Sequence, residues 1–188
     1  IRQPRGKVLG GSSSINGLVY IPGQREDFDG WGVPGWRFDD LLPYFKKCEN
    51  QSRGAAAWPG LAGPLEVGDL PGRHELCDAF IDAAEASGFP KNKDYNNGNQ
   101  EGFGYYQVTM KNGKRQSTGR AFLDPARSRS NLSIETDALV GKVILEGKRA
   151  VGVAYTVHGQ AREARAGREV IVACGAVQSP GVLEHSGI

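Results

Sequence analysis

The sequence predicts an α/β fold, on the basis of helical spacing in its first half and strand-like alternation in its last third. Glu75–Ser87 places apolar residues on one helical face and is followed by Gly88, a residue that commonly ends helices. Residues 169–173 are apolar after the first, as expected of a buried parallel strand. The segments that alternate with a period of two, typical of an antiparallel meander, are 132–145, 151–157 and 161–166.

Shorter signals divide the rest of the chain. Asp39 or Asp40 is expected to cap a helix that continues to Cys48, because aspartate accepts hydrogen bonds from the first N–H groups of a helix. Residues 50–72 are rich in glycine, alanine and proline and predict a loop that contains a short strand at Leu65–Val67. The further predicted elements are a strand at 105–110, a hairpin turn at Asn112-Gly113, a helix at 121–126 and, after a turn at Gly175, a helix at 178–184.

The charge of the chain is nearly balanced, with 23 basic and 21 acidic residues and a net charge of +2. This balance gives no reason to expect nucleic acid or an anionic membrane surface as a partner. No apolar run approaches the roughly 20 residues that a membrane-spanning helix needs. The chain begins with Ile1 and shows no leader sequence, so it is expected to be an internal piece of a longer protein.

Cysteine and histidine usage gives further bounds. The cysteines are Cys48, Cys77 and Cys174. Their odd number and wide spacing favour free thiols in a reducing compartment, predict a cytoplasmic location and disfavour a zinc site. The histidines are His74, His158 and His185. None belongs to a motif with a nucleophile and an acid, so no catalytic residue and no metal ligand is assigned.

The segment Gly6–Gly17 carries the strongest chemical signal. Gly10-Gly11 makes left-handed backbone conformations accessible, and consecutive N–H groups in such a turn form an anion-binding concavity. Ser12–Ser14 add hydroxyl donors, and Asn16 offers a donor and an acceptor to the edge of a heteroaromatic ring. The segment therefore indicates a loop that binds a phosphate or dinucleotide, while a surface linker rich in glycine and serine is compatible with the same residues. It is not a P-loop, because no Gly-Lys-Ser/Thr follows at the required spacing.

Two long patterns lie near the two ends of the chain. The first is Gly6-Lys7-x-Leu9-Gly10-Gly11-Ser12-Ser13-x-Ile15-Asn16, followed by Tyr20, Gly23 and Asp29. The second is Gly175-Ala176-x-x-Ser179-Pro180-x-Val182-Leu183-x-x-Ser186-Gly187-Ile188. Both patterns resemble the signatures of the glucose-methanol-choline (GMC) flavin oxidoreductases, and residues 95–104 and 113–123 are similar to the choline-dehydrogenase branch of that family. The resemblance covers essentially the whole chain.

The resemblance implies an FAD cofactor and a fold that combines part of a Rossmann-like FAD-binding domain with part of a sheet-based substrate domain. The implied segments are 1–60 for FAD binding, 61–130 for the substrate domain or cap, and 131–188 for FAD binding, the last as an antiparallel meander followed by strand, turn and helix. The residues implied to contact FAD are Gly10, Gly11, Ser12, Ser13, Asn16, Gly17, Leu18, Val19, Val140, Ala173 and Gly175.

Each part of this set has an implied role. Gly10–Ser13 would line the pyrophosphate and ribityl chain, Asn16–Val19 the isoalloxazine, Val140 the adenine, and Ala173 and Gly175 the adenosine. Some relatives bond FAD covalently through a histidine at the position of Ile15, so FAD here is expected to be non-covalent. Residues 58–60 read Trp-Pro-Gly where relatives usually carry a Tyr/His-x-Gly-type stretch, which argues against a histidine-based role. Arg115 and Arg120 are expected to be solvated or structural charges.

Two functions stay open from the sequence. One is a piece of an FAD-dependent enzyme that oxidises the CH–OH group of choline or another small primary alcohol by hydride transfer to the flavin. The family's catalytic histidine matches no position here, and the piece alone is expected to bind FAD weakly or not at all. The other is a stand-alone truncated module without flavin, with esterase-like or binding activity, that uses Ser12, Ser13 or Ser14 and a histidine brought near by folding. Neither the electron acceptor nor the oligomeric state is predicted.

Overall fold

Helices and strands both form, as the α/β prediction requires. The structure, a computed structural model, describes residues 2–54 and 60–188, so Trp58 and Pro59 lie outside the described residues. The helices are α1 (Arg25–Asp29), α2 (Phe38–Cys48), α3 (Glu75–Ala86) and α4 (Gly175–His185). The strands are β1 (Val19–Tyr20), β2 (Glu49–Gln51), β3 (Leu65–Val67), β4 (Gln107–Val108), β5 (Met110–Lys111), β6 (Lys114–Arg115), β7 (Ala138–Glu146), β8 (Arg149–Val157) and β9 (Gln160–Arg165). The chain divides into two compact units, Ile1–Leu132 and Ser133–Ile188.

Helix α3 follows its sequence signals. It begins after His74, whose Nδ1 accepts a hydrogen bond from the N–H of Leu76 at 3.2 Å. It ends at Ser87, and Gly88 leaves the helix with a φ of 90°. The predicted helix is therefore confirmed, but its apolar face stays open: Leu76 is 70% exposed and Phe80 is 62% exposed.

Helix α2 begins at Phe38, earlier than predicted. The carboxylate of Asp29 accepts from the N–H of Phe38 at 3.0 Å, and that of Asp40 accepts from the N–H of Arg37 at 3.2 Å. Neither Asp39 nor Asp40 is the N-cap residue, because both lie inside the first turn, but Asp40 does cap the helix as the third residue of a capping box. Asp29, at the end of the preceding helix, supplies a second acceptor at the helix start.

The first unit is built from very short strands. β2 pairs with β3 in parallel, β1 pairs with β4 antiparallel, and Gly68 exchanges two backbone hydrogen bonds with Val108 of β4, at 2.8 and 3.0 Å. The predicted strand at Leu65–Val67 is confirmed. Of the predicted strand 105–110, residues 107–108 form β4 and Met110 belongs to β5, whereas Tyr105, Tyr106 and Thr109 lie outside strands.

The segment after β4 reverses the chain twice. β5 and β6 form the predicted hairpin, with Asn112 and Gly113 at φ values of 50° and 70°, as the hairpin turn requires. The predicted helix at 121–126 forms as a π-helical turn, Gly119–Leu123, followed by a 3₁₀ turn, Asp124–Ala126. The sequence thus predicted a helical segment there but not its irregular winding.

The core of the first unit combines a few apolar side chains with several polar ones. Its fully buried apolar residues are Phe38, Val67, Val108 and Ala121. Gln107 is only 2% exposed, and it exchanges side-chain hydrogen bonds with the buried Gln51 at 3.0 and 3.3 Å. The buried Asn96 donates to Gln107 Oε1 and, at 3.2 Å, to Tyr20 O. These amides tie together three strands and the asparagine-rich loop at 92–101.

The second unit contains the predicted meander. β7, β8 and β9 pair antiparallel in chain order, with a bulge in β7 after Val140 and another in β8 at Val151, between the pairs of Ile144 and Leu145. Helix α4 packs on β7, where Ser186 Oγ accepts from the N–H of Val143 at 2.8 Å. Residues 132–136, predicted as the first part of this meander, precede β7 and are not in a strand.

The predicted buried strand at 169–173 does not form. Its central residue Ile171 is 79% exposed, and no strand pairs with this segment in the part of the chain that the structure describes. A strand needs a neighbour to satisfy its backbone, whatever its apolar content. The strand-turn-helix arrangement is therefore corrected to a segment without regular secondary structure followed by helix α4, which starts at Gly175, with its φ of 86°, rather than at 178.

Candidate functional site

The glycine- and serine-rich loop has the left-handed backbone that its sequence predicts. Gly10 and Gly11 have φ values of 90° and 53°, and Gly11–Ser14 form a 3₁₀ turn. A Cβ at Gly10 would lie 2.7 Å from Ser14 Oγ, whereas no described atom lies within 4 Å of a Cβ at Gly11 or Gly17. The loop therefore has a packed side, on which Gly10 lies, and an open side, to which Gly11 and Gly17 belong.

The serine hydroxyls mainly hold the loop together. Ser14 Oγ donates to Leu9 O at 2.9 Å, and Ser13 Oγ donates to Gly10 O at 2.5 Å. Ser12 Oγ accepts from the N–H of Gly6 at 3.2 Å, which keeps its own proton available to a ligand. Of the three hydroxyl donors predicted for the loop, two are thus committed to backbone carbonyls.

A second segment, far along the chain, supports the loop. The N–H of Thr118 donates to Ser13 Oγ at 2.9 Å, and Thr118 Oγ1 donates to Gly10 O at 3.2 Å. Arg115 Nη1 donates to Ser13 O at 3.2 Å and to Asn16 Oδ1 at 2.8 Å. The family resemblance implies that this region lies beside the cofactor and the substrate cavity, but neither Arg115 nor Thr118 is among the contact residues that the sequence predicts. The available signal was that residues 113–123 belong to the choline-dehydrogenase-like patterns.

Asn16 stabilises an unusual backbone position next to the loop. Its Oδ1 accepts from the N–H of Leu18 at 3.1 Å, and Leu18 has a φ of 67°. A left-handed conformation is unfavourable for a leucine and persists only where surrounding contacts impose it. Thr109 supplies further contacts, because its N–H and Oγ1 both donate to Leu18 O, at 2.9 and 3.3 Å. The predicted residues Asn16–Val19 therefore have a fixed conformation, with Asn16 itself exposed.

A basic cleft of about 590 Å³ lies beside the loop. Its lining residues are Val8, Leu9, Ser14, Lys114, Arg115, Ser117, Gly119, Arg120, Asp124 and Arg127. Arg127 Nε pairs with Asp124 at 2.8 Å, and Arg120 Nη1 donates to Arg115 O at 3.2 Å. Four basic residues against one acid make the cleft electropositive, which suits an anionic group such as a phosphate.

Tyr20, at the end of β1, is held in its neutral form. Burial raises the pKa of its phenol well above the ordinary value of 10.0, and a hydrogen bond to the buried Glu49 raises that pKa further. Glu49 Oε1 also accepts from the N–H of Gly60 at 2.7 Å. The tyrosine and the carboxylate are structural groups of the polar core rather than an acid–base pair at the loop.

The other predicted contact residues lie in the second unit. Val140 is half-buried in β7 opposite Tyr155, at the bulge, while Ala173 and Gly175 are exposed at the start of α4. The N–H of Cys174 donates to Ser179 Oγ at 3.1 Å across the first turn of that helix. The FAD contacts predicted for these three residues stay predictions.

The serines and histidines considered for an esterase-like activity do not form a catalytic pair among the described residues. Ser12–Ser14 form no hydrogen bond to a histidine among the described residues, and His74 is occupied at the start of α3. Within residues 2–54 and 60–188, no group of three histidine, cysteine or acidic side chains could hold a metal ion. Across the same residues, no helix is both long and apolar enough to span a membrane.

Comparisons with known proteins agree with the signature patterns. The profile of the family described as GMC oxidoreductase matches residues 1–188. Over 190 residues the chain is 48% identical to an oxygen-dependent choline dehydrogenase from Paraburkholderia phytofirmans, covering 98% of this chain and 34% of that protein. It is 45% identical over 188 residues to the mitochondrial choline dehydrogenase of Homo sapiens, covering 98% of this chain and 32% of that protein.

Solved structures show the same likeness. A pyridoxine 4-oxidase from Mesorbium loti superposes with a TM-score of 0.89 at 32% identity, over 98% of this chain and 37% of that one. An FAD-dependent oxidoreductase from Chaetomium thermophilum superposes with a TM-score of 0.90 at 28% identity, over 98% of this chain and 35% of that one. The chain spans about a third of the length of the curated relatives it matches. By its signatures, its fold and a match over its full length, the chain belongs to the GMC oxidoreductase family.

Proposed function

We propose that this chain contributes the cofactor-positioning part of an FAD-dependent enzyme that oxidises the CH–OH group of a small primary alcohol of the choline type. The observation that carries the proposal is the identity of 48% and 45% to two choline dehydrogenases over 98% of the chain. The structural likeness to a pyridoxine 4-oxidase and an FAD-dependent oxidoreductase supports the same class of reaction.

The residues of the loop fit the cofactor. Gly11 and Gly17 keep the open side of the loop clear of Cβ atoms, so a planar ring or a phosphate can approach the backbone there. Ser12 has a hydroxyl proton to donate, Asn16 has an exposed carboxamide, and the cleft beside them is electropositive. This is a donor-rich surface, as the phosphates and the acceptor atoms of an isoalloxazine ring require.

The proposed work of this chain is to bind and orient. Bound FAD supplies the hydride acceptor, and chemistry of that kind belongs to the cofactor rather than to the protein. Gly10–Ser13 would hold the pyrophosphate and ribityl region, and Asn16–Val19 would face the ring. The fixed backbone at Leu18 means that little conformational entropy is lost there when the cofactor binds.

We also propose that the flavin is held without a covalent bond. Ile15 occupies the position at which some relatives carry a flavin-linked histidine. Its side chain is 52% exposed and is purely hydrocarbon, so it has no nitrogen to bond to the ring. Binding would depend on the hydrogen bonds and charges around the loop.

The test uses the purified full-length protein. Visible absorption of an oxidised flavin, bleached anaerobically by choline but not by betaine, the corresponding carboxylate without a CH–OH group, is the expected result. Acid precipitation should release the yellow colour into the supernatant, as non-covalent FAD requires. A colourless protein that takes up no added FAD, or a flavoprotein that no primary alcohol reduces, would refute the proposed function. Colour retained in the acid pellet would refute only the non-covalent link.

A further inference from the structure

Arg115 makes a contact of an unusual kind for a charged side chain. Its Nη1 donates to two neutral oxygens of the loop, Ser13 O at 3.2 Å and Asn16 Oδ1 at 2.8 Å. No carboxylate among the described residues pairs with it. Its expected role as a solvated or generally structural charge is therefore incomplete, because the guanidinium is aimed at one side chain of the predicted cofactor site.

This contact determines how the carboxamide of Asn16 is turned. Asn16 Oδ1 accepts from two donors, Arg115 Nη1 at 2.8 Å and the N–H of Leu18 at 3.1 Å. If the amide were flipped, Nδ2 would face the N–H groups of both Arg115 and Leu18. All of these groups are donors, so neither hydrogen bond could form. The orientation with Oδ1 inward is thus the favoured one, and the Nδ2–H groups point away from Arg115.

Arg115 is itself held in place. It lies in β6 opposite Met110 of β5, and its carbonyl accepts from Arg120 Nη1 at 3.2 Å. The side chain is half-buried, so a long, flexible group is confined to one geometry before any ligand arrives. Hydrogen bonds to a charged donor are stronger than those between neutral groups, which makes the guanidinium an effective clamp.

We propose that Arg115 is a positioning residue that presents Asn16 to the flavin ring as a hydrogen-bond donor and not as an acceptor. The inference rests on the proposed function and refines it. It assigns Asn16 an acceptor partner on the isoalloxazine, a carbonyl oxygen or an unprotonated ring nitrogen. Arg115 itself would act through Asn16 and would not need to touch the cofactor.

The test measures cofactor affinity of the full-length apoprotein in four variants. Asn16→Ala removes the Nδ2–H groups without introducing a charge, and Arg115→Gln removes the clamp. The double variant combines them. Lys111→Gln, which removes a charge from β5 of the same hairpin but outside the cleft, is the matched control, since its exposed ion pair with Glu66 contributes little. FAD and ADP, which lacks the ring, are both titrated.

Each single variant at Asn16 or Arg115 is expected to weaken FAD about tenfold, the effect of one lost hydrogen bond of ordinary strength. The double variant should be no more than about twofold weaker than either single variant, because both changes remove the same interaction. ADP affinity should stay within about twofold in the Asn16 variant and should fall less than FAD affinity in the Arg115 variants, because Arg115 also lends its charge to the cleft. Lys111→Gln should bind FAD like the wild type.

Several results would overturn the inference. Additive losses, about a hundredfold in the double variant, would show that Arg115 acts independently of Asn16. ADP affinity that falls in step with FAD affinity would show that the substitution collapses the loop rather than turning one amide. These two results leave the proposed function intact. A wild-type protein that binds no FAD would remove the proposed function, and the inference with it.

Discussion

The packed and open sides of the loop make one prediction that separates folding from cofactor binding. Gly10 and Gly11 are adjacent and both have left-handed backbones, with φ values of 90° and 53°. The two positions differ in their surroundings. A Cβ at Gly10 would lie 2.7 Å from Ser14 Oγ, 3.0 Å from Gly119 N and 3.2 Å from Ser117 Oγ, while no described atom lies within 4 Å of a Cβ at Gly11.

The magnitudes follow from these contacts. Gly11→Ala is expected to cost about 1 kcal/mol of folding free energy, which is the penalty of a left-handed alanine alone. Gly10→Ala carries that penalty and adds about 2 kcal/mol for overpacking, because a backbone nitrogen cannot move aside as a flexible side chain can. For FAD binding the order should be reversed, since the added methyl of Gly11→Ala enters the open side of the loop.

The assay is urea unfolding of the full-length apoprotein, followed by circular dichroism, together with FAD titration of each folded variant. Gly10→Ala should unfold at clearly lower urea than Gly11→Ala, and Gly11→Ala should show the larger loss of FAD affinity per unit of lost stability. Equal unfolding midpoints would refute the assignment of a packed side. An FAD affinity unchanged by Gly11→Ala would refute the assignment of the open side to the cofactor.

Three further predictions concern the rest of the chain. Gln107→Leu should destabilise the protein by about 3 kcal/mol in urea unfolding, because the buried Gln51 and Asn96 each lose their acceptor; a loss below about 1 kcal/mol would contradict the amide network. Burial, and then the hydrogen bond to Asp78, raise the pKa of Tyr105 to about 12. The contribution of the neutral Tyr105 phenol to the free energy of unfolding should therefore be complete below pH 10 and be lost as the pH rises from about 10 to 12. Tyr105→Phe should not show this loss when unfolding curves are measured across that pH range. Residues 1–188 expressed alone should bind a hydrophobic dye and bind FAD weakly or not at all, since Trp31, Trp36, Leu76 and Phe80 are each more than half exposed; stoichiometric FAD retained through dialysis would contradict this.

Local signals in the sequence predicted the parts of the fold that depend on neighbours a few residues away. Helix α3 and the hairpin at Asn112-Gly113 form where spacing and turn residues place them. The left-handed pair at Gly10-Gly11 and the meander β7–β9 are of the same kind, because each is specified by residues close in sequence. These elements need little tertiary context to be recognised.

Periodicity was a weaker guide where a partner decides the outcome. The apolar run at 169–173 has the composition of a buried strand, yet Ile171 is 79% exposed and no described strand pairs with it. Large apolar side chains elsewhere are likewise uncovered: the rings of Trp31 and Trp36 lie 6.1 Å apart and are 55% and 53% exposed. An apolar side chain favours burial, but the local sequence does not identify the element that packs against it.

The candidate site shows why the role of a residue can be misinterpreted from the sequence around it. Arg115 lies 102 residues from Ser13 and 99 from Asn16, so no window of local sequence contains both ends of the contact. Judged alone, an arginine after a hairpin turn is a surface charge. The fold changes that meaning because β5 and β6 return the chain to the loop, where two neutral oxygens replace water around the guanidinium. The loop that the sequence identified is thus only half of the structure that gives it a fixed shape, and its chemistry depends equally on a residue whose importance becomes visible only in three dimensions.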